Sequence, residues 1–313
     1  APLRQRLRGA LAERGIACGD DQLFMTHGAN HAMDLVIRRY VAAGDAVLVD
    51  DPGYYPLLAK LALAGANAIG VDRRHDGPDV ADLEAKARKS GARLFFTQSL
   101  AHNPTGGSIT SGNAYAVLRI ATDFGLLVVE DDPFADILPY AALRLAALDQ
   151  LNRVIYIGTF SKTLAGSLRT GYLAASSKLA AELNELKVVT TVATSAHDER
   201  LIFQLIENGH YLKHLRRLRA RASKATDESV QALEGCGFDI RRPIGGGFYL
   251  WIELPEHMAD ENLAHDAAEA GIFIAPAINF STSSNPKPAM RINVAYGCNP
   301  TFLSWLNEKA SAK

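Results

Sequence analysis

Short apolar runs separated by amphipathic stretches constrain this chain more than any other feature. Ala46-Val47-Leu48-Val49, Arg93-Leu94-Phe95-Phe96-Thr97, Leu126-Leu127-Val128-Val129, Val154-Ile155-Tyr156-Ile157 and Gly171-Tyr172-Leu173-Ala174 follow one another along the sequence. Segments 79–90 and 111–123, between them, are amphipathic at helical spacing. Buried strands separated by helices predict an α/β fold with a mainly parallel sheet covered on both faces. Residues 2–14 read as a helix with Leu3, Leu7 and Leu11 on one face, stopped by Gly15 and Gly19. A second helix starts near Ala29 and runs through Tyr40. Residues 201–233 read as one long helical region, with a break at Gly209. Beyond it the runs from Gly245 to Glu253, Ile272 to Ala275 and Met290 to Ala295 read as strands of a smaller α+β domain. The expected division is a large domain over 19–205 and a small one over 206–313, with the N-terminal helix (1–18) packed on the small one.

The 313 residues are 48% hydrophobic and 21% charged, which excludes wholesale disorder. A net charge of −1 gives the chain as a whole no electrostatic reason to bind nucleic acid or an anionic membrane. The basic stretch Lys213, His214, Arg216, Arg217, Arg219, Arg221 and Lys224 is therefore read as a solvated helix face. No apolar run is long enough to cross a bilayer. Cys18, Cys236 and Cys298 are odd in number, far apart and without metal-ligand spacing. They are expected to fill space in a reducing compartment, the cytoplasm, rather than to form disulfides or a zinc site. The nine histidines show no H-E-x-x-H spacing, and Gly245-Gly246-Gly247 is no dinucleotide fingerprint, so no metal is expected. The chain opens on Ala1 rather than Met, so the natural product is expected to begin upstream.

Six tracts carry possible chemistry. In Gly158-Thr159-Phe160-Ser161-Lys162-Thr163-Leu164-Ala165-Gly166-Ser167-Leu168-Arg169 a strand delivers a hydroxyl-rich turn with one lysine, and an arginine seven residues later. A cation beside a lysine favours its neutral, nucleophilic form. Thr159, Ser161 and Arg169 supply the donors and charge that a phosphate needs. A polar loop with a solvated lysine fits this tract, taken alone, equally well. In Glu130-Asp131-Asp132-Pro133-Phe134 acids sit where an apolar strand ends, the edge at which open α/β sheets bind ligands. A carboxylate there could pair with a cationic ring nitrogen, or simply cap a helix. His102-Asn103-Pro104-Thr105-Gly106 is by itself a turn signal. Thr26-His27-Gly28-Ala29-Asn30 precedes a helix, whose first N–H groups can bind phosphate. Asp51-Pro52-Gly53-Tyr54-Tyr55-Pro56 could lay an aromatic ring over a flat cofactor, or be only a turn. Arg291, within an apolar strand, invites a carboxylate, from a substrate or from the protein.

Together and in this order, from Leu3 to the C-terminal strand, the tracts resemble the class I/II aminotransferases that depend on pyridoxal phosphate. Ser161-Lys162 with Arg169-Thr170-Gly171, and Asn103-Pro104-Thr105-Gly106, are the most specific elements. The resemblance implies fold type I, with a mostly parallel seven-stranded sheet, and transamination between an α-amino acid and a 2-oxo acid. It implies that Lys162 forms the cofactor aldimine and moves the substrate proton, and that Asp131 holds the pyridine nitrogen protonated. It further implies Asn103 at the ring hydroxyl, Tyr54 on the ring face, and Gly28, Ala29, Thr159, Ser161 and Arg169 as a phosphate cup with Asn30 beside it. Arg291, with Asn103 nearby, would grip the substrate carboxylate, and the assembly would be a homodimer. Phe134 would also stand among the cofactor-binding residues, but it departs from the family pattern, where a tyrosine donates to the ring hydroxyl. Within the family the chain looks most like the aminotransferase-like domain of GntR-type regulators of the MocR group, in which a winged-helix DNA-binding domain comes first. The alternative function is therefore an amino-acid or amine sensor with little turnover.

Overall fold

The computed structural model describes residues 2–138, 142–243, 247–258 and 263–311. The order is α1 (Pro2–Glu13), β1 (Leu23–Thr26), α2 (Ala29–Tyr40), β2 (Ala46–Asp51), α3 (Tyr55–Leu63), β3 (Asn67–Arg74) and the two-residue β4 (Gly77–Pro78). Next come α4 (Val80–Ser90), β5 (Leu94–Thr97), α5 (Ser111–Asp123), β6 (Leu127–Asp132), α6 (Leu145–Asp149), β7 (Val154–Thr159) and β8 (Gly171–Ala174). The last are α7 (Ser177–Thr191), α8 (Ala196–Glu207), α9 (His210–Gly235), β9 (Tyr249–Glu253), α10 (Leu263–Glu269), β10 (Ala275–Pro276), β11 (Ala289–Asn293) and α11 (Pro300–Ser311).

The large sheet runs β1-β8-β7-β6-β5-β2-β3-β4. β7, β6, β5, β2 and β3 pair in parallel, while β8 is antiparallel to both of its neighbours. Apart from the short β4 this is the mostly parallel seven-stranded sheet expected. Alternate side chains explain why it is buried on both faces. Leu48, Phe95, Val128 and Tyr156 face one apolar layer, with Val117, Ile120 and Ile202 from the helices. Val47, Val49, Phe96, Val129 and Ile157 face the other, with Met33 and Val36 of α2, Leu61 of α3 and Leu183 of α7.

One expectation is corrected here. Leu3, Leu7 and Leu11 of α1 are buried in the first of these layers, and α1 packs on α8 and β1, not on the smaller sheet. β1 is the edge strand of the large sheet, and its inward residues Leu23 and Met25 share one apolar layer with the leucines of α1. The long helical region breaks as expected at Gly209, which takes φ 70° between α8 and α9. The basic residues of α9 face solvent, except Arg219, which is half-buried and donates twice to the Asp136 carbonyl.

The smaller sheet is antiparallel, in the order β10-β11-β9. Leu250, Ile252, Met290 and Ile292 point into its core against Val230 and Leu233 of α9 and Leu306 of α11. Of the run Ile272–Ala275, only Ala275 enters a ladder, and Pro276, which has no N–H, ends it. Gly245 and Gly246 lie outside the described residues. Cys18 and Cys236 pack at core margins, but Cys298 is exposed and fills no space. Among the described residues no helix is long and apolar enough to cross a membrane.

Candidate active site

The parallel strands β2, β5, β6 and β7 end at one edge, so the residues after Asp51, Thr97, Asp132 and Thr159 converge. Strand alternation sorts the three acids at the end of β6. Glu130 accepts from the N–H groups of Leu145 (2.9 Å) and Ala146 (2.8 Å) at the start of α6, and from the Ser99 hydroxyl. Asp132 accepts from Arg144 Nε (2.6 Å) and the Tyr156 hydroxyl (2.8 Å). Both are occupied in holding the fold. Asp131, between them, points to the other face.

Asp131 Oδ2 accepts from Gln98 Nε2 at 2.6 Å, while Oδ1 is buried with no partner among the described residues. Burial pushes its carboxyl up to about 7, against the Gln98 donor and the charge of Lys162; Asp132 adds to the rise. Such an acceptor costs free energy unless a donor meets it. Tyr54, at the start of α3, shares the surrounding cavity with Val129, Gln98 and Asp131. Burial, followed by the Asp131 charge, raises its phenol well above the ordinary value. Its hydroxyl donates to Asn30 Oδ1 at 3.4 Å.

Asn30 lies at the N-terminus of α2, where the capping residue Gly28 has no side chain to bond the free N–H groups. Gly28 has φ 76°, and a Cβ there would stand 2.8 Å from Arg169 Nη2. A glycine is thus required both by the backbone and by the approach of the guanidinium. Arg169 Nη2 donates to the His27 carbonyl at 3.3 Å, and Nη1 reaches Gly166 O (3.2 Å) and Ser161 Oγ (3.5 Å). The Ser161 N–H and hydroxyl meet Thr159 Oγ1 at 3.1 Å. Lys162 is exposed in the same loop, and Thr163 beside it is held by the Tyr211 hydroxyl at 2.9 Å. Arg169 thus ties the turn before α2 to the loop after β7 that carries Thr159, Ser161 and Lys162, and Asn30 links that turn to Tyr54.

On the other side stands Arg291 of β11. It donates to Asn103 Oδ1 at 2.9 Å and lies 4.3 Å from the Tyr249 ring centroid. Phe134 lies behind Tyr249, the ring over which Arg291 sits. It is 1% exposed and meets Phe248 and Tyr249 edge-on, inside an apolar cluster that joins the turn after β6 to β9. Sequence reading did not single out Gln98 or the buried group behind it. Asp50 Oδ2 accepts from Arg73 Nη1 (3.1 Å), Thr97 Oγ1 (2.8 Å) and the Gln98 N–H (3.1 Å), with His102 Nε2 at 3.4 Å. Only Asp50, in front of the flagged Asp51-Pro52-Gly53, and His102, within a flagged tract, carried any local signal.

The model of the family "Aminotransferase class I and II" matches residues 3–301. Aromatic-amino-acid aminotransferase 1 of Thermococcus litoralis is 27% identical, over 94% of this chain and 73% of its own length. The HTH-type transcriptional regulator YdcR of Escherichia coli is 27% identical, over 95% of this chain and 64% of its own length. Among solved structures, kynurenine aminotransferase of Pyrococcus horikoshii, in complex with PMP, superposes with a TM-score of 0.91 at 25% identity, over 99% of this chain and 81% of that one.

Proposed function

The chain belongs to the class I and II aminotransferases, which depend on pyridoxal phosphate, and from that premise we propose how its own residues divide the work. The reaction exchanges an amino group: an α-amino acid leaves as its 2-oxo acid, and a second 2-oxo acid leaves as an amino acid. Pyridoxal phosphate, when bound, carries the amino group between them and withdraws electrons from the substrate Cα. The residues fit this group. Asp50, Asp131 and Asp132 each keep a bare buried Oδ1, but Asp50 pairs with Arg73 and Asp132 with Arg144; Asp131, without such a partner among the described residues, is the acceptor suited to a cationic ring N–H, and this is the observation that carries the reading. The free N–H groups of Ala29 and Asn30, with Arg169, Thr159 and Ser161, suit a phosphate.

Lys162 Nζ holds the cofactor and then moves the proton at the substrate Cα. Tyr54 covers one ring face. Arg291 can only donate, so Asn103 presents its oxygen to Arg291 and keeps its amide NH2 for the ring hydroxyl. Phe134 has no hydroxyl and sits buried beside Tyr249, which leaves that donation to Asn103. The remaining Arg291 donors take the substrate carboxylate. The same reading divides the chain into a cofactor unit (19–205) and a smaller one (206–313), and pairs it as a homodimer. Val188, Val189 and Val192 supply an exposed apolar patch near the phosphate cup, which His31 joins through Thr191 at 3.2 Å. Sedimentation should find twice the chain mass.

The test of the reaction is spectroscopic. With cofactor loaded, an α-amino acid should convert the visible band to the near-ultraviolet band of pyridoxamine phosphate, and a 2-oxo acid should restore it. A spectrum unmoved by a panel of amino acids would contradict the reading. The similarity to YdcR, of which the chain spans 64%, favours a second one. In it the same site binds an amino acid as an effector, and the band shifts without release of oxo acid.

A further inference from the structure

We propose that Gln98 is a positioning residue that aims the Asp131 carboxylate and ties it to the substrate-binding end of the site, an inference that rests on the cofactor reading above. Gln98 follows β5 and is 5% exposed. Its Oε1 accepts from the Asn103 N–H at 2.8 Å, and its Nε2 donates to Asp131 Oδ2 at 2.6 Å. A backbone N–H can only donate, so the orientation of the amide is fixed. Gln98 therefore always turns its NH2 toward Asp131. That donor favours the carboxylate anion, occupies Oδ2, and leaves Oδ1 as the one oxygen free for a partner.

The amide is a bridge as well as a donor. From Asp131 the hydrogen bonds run through Gln98 to the Asn103 backbone, and the Asn103 side chain accepts from Arg291 at 2.9 Å. One connected series thus joins β6 of the large sheet to β11 of the small one. Its centre is anchored from behind: the Gln98 N–H donates to Asp50, which Arg73 and Thr97 hold in turn. The charged and titratable groups facing Asp131 are Lys162, from the loop after β7, its own neighbour Asp132, and Tyr54 of α3, with Asp50 and His102 lining the same cavity. Among the described residues none of these groups bonds Asp131, and Gln98 is its donor.

The experiment measures pyridoxal phosphate binding by equilibrium dialysis from pH 6 to 9, with the melting temperature of each protein without added cofactor. Gln98→Met removes donor and acceptor at constant length. Gln98→Asn keeps an amide that is too short to bridge. Gln98→His keeps one ring N–H for Asp131 and one bare ring nitrogen for Asn103. Met and Asn should each weaken binding about tenfold or more at pH 7.5, the size of one hydrogen bond to a charged group. Both should also move the pH at which binding falls away upward from that of the wild type, because Asp131 protonates sooner without its donor. His should restore most of both. If Gln98→Met does not fold, Gln98→Asn carries the same expectation. Variants that melt lower but bind with wild-type affinity and pH profile would overturn the inference and leave the cofactor reading standing. A wild-type chain that takes up no pyridoxal phosphate would overturn both.

Discussion

Asp131 and its two neighbours are chemically alike, and only the direction of each side chain separates them. Glu130 accepts backbone donors on both oxygens, and Asp132, though bare at Oδ1, pairs with Arg144, whereas Asp131 has no arginine partner among the described residues and lines the cavity beside Tyr54 with Oδ1 bare. Asp131→Asn keeps the shape and removes the charge, so cofactor affinity should fall about tenfold or more in dialysis while the fold is retained. Lys162 is exposed, so Lys162→Ala should leave the melting temperature nearly unchanged. Its turnover should fall by about 10²- to 10⁴-fold, the usual worth of a positioned proton-transfer group. Gly28→Ala places a methyl 2.8 Å from Arg169 Nη2 at φ 76°. It should cost about 1 kcal/mol or more in denaturant melts and weaken phosphate binding.

At the scale of elements, the cap of α4 acts apart from the site. Asp79 caps α4 by accepting from Ala81 N (3.0 Å) and Asp82 N (3.2 Å). Asp79→Ala should lower stability by about 1 kcal/mol in a denaturant melt and leave cofactor affinity alone. The central strands were legible because each is a short apolar run buried on both faces, as Leu94–Thr97 and Val154–Thr159 are. β3 was not, because most of Asn67–Arg74 is partly or fully exposed and its run is broken by Gly70 and Asp72. β1 escaped notice although it is as short and as buried as β5, because its Leu23-Phe24-Met25 run is hemmed in by the polar Gly19–Gln22 and Thr26–His27. In the site, Lys162, Asp131, Asn103 and Arg169 stand in local tracts that a sequence displays. Gln98 does not: its partners Asp131 and Asp50 are 33 and 48 residues away, and no spacing along the chain encodes that meeting. The helix α1 was legible as a helix, but the layer it covers was set by the bare edge of β1.

At the scale of the whole molecule, buried titratable groups pull stability in opposite directions. Burial, followed by Arg73, pushes the His102 imidazole down to about 4, against about 6.5 in an unfolded chain. The unfolded chain therefore binds the extra proton first, so this stability is present above about pH 6.5 and is lost as pH falls toward 4. Glu130 and Asp131, raised by burial to about 7, act the other way over the same interval. The His102 contribution is best read as a difference. The stability gap between wild type and His102→Gln should narrow by about 3 kcal/mol from pH 6.5 to 4 in denaturant melts. In the proposed function, segments far apart in the chain meet around one cofactor with Lys162 as its attachment point. Borohydride reduction of the loaded protein, followed by peptide mass mapping, tests it most directly. A phosphopyridoxyl group on Lys162, absent from Lys162→Ala, is the predicted result, and a label on another lysine or on none would rule out Lys162 as the attachment point.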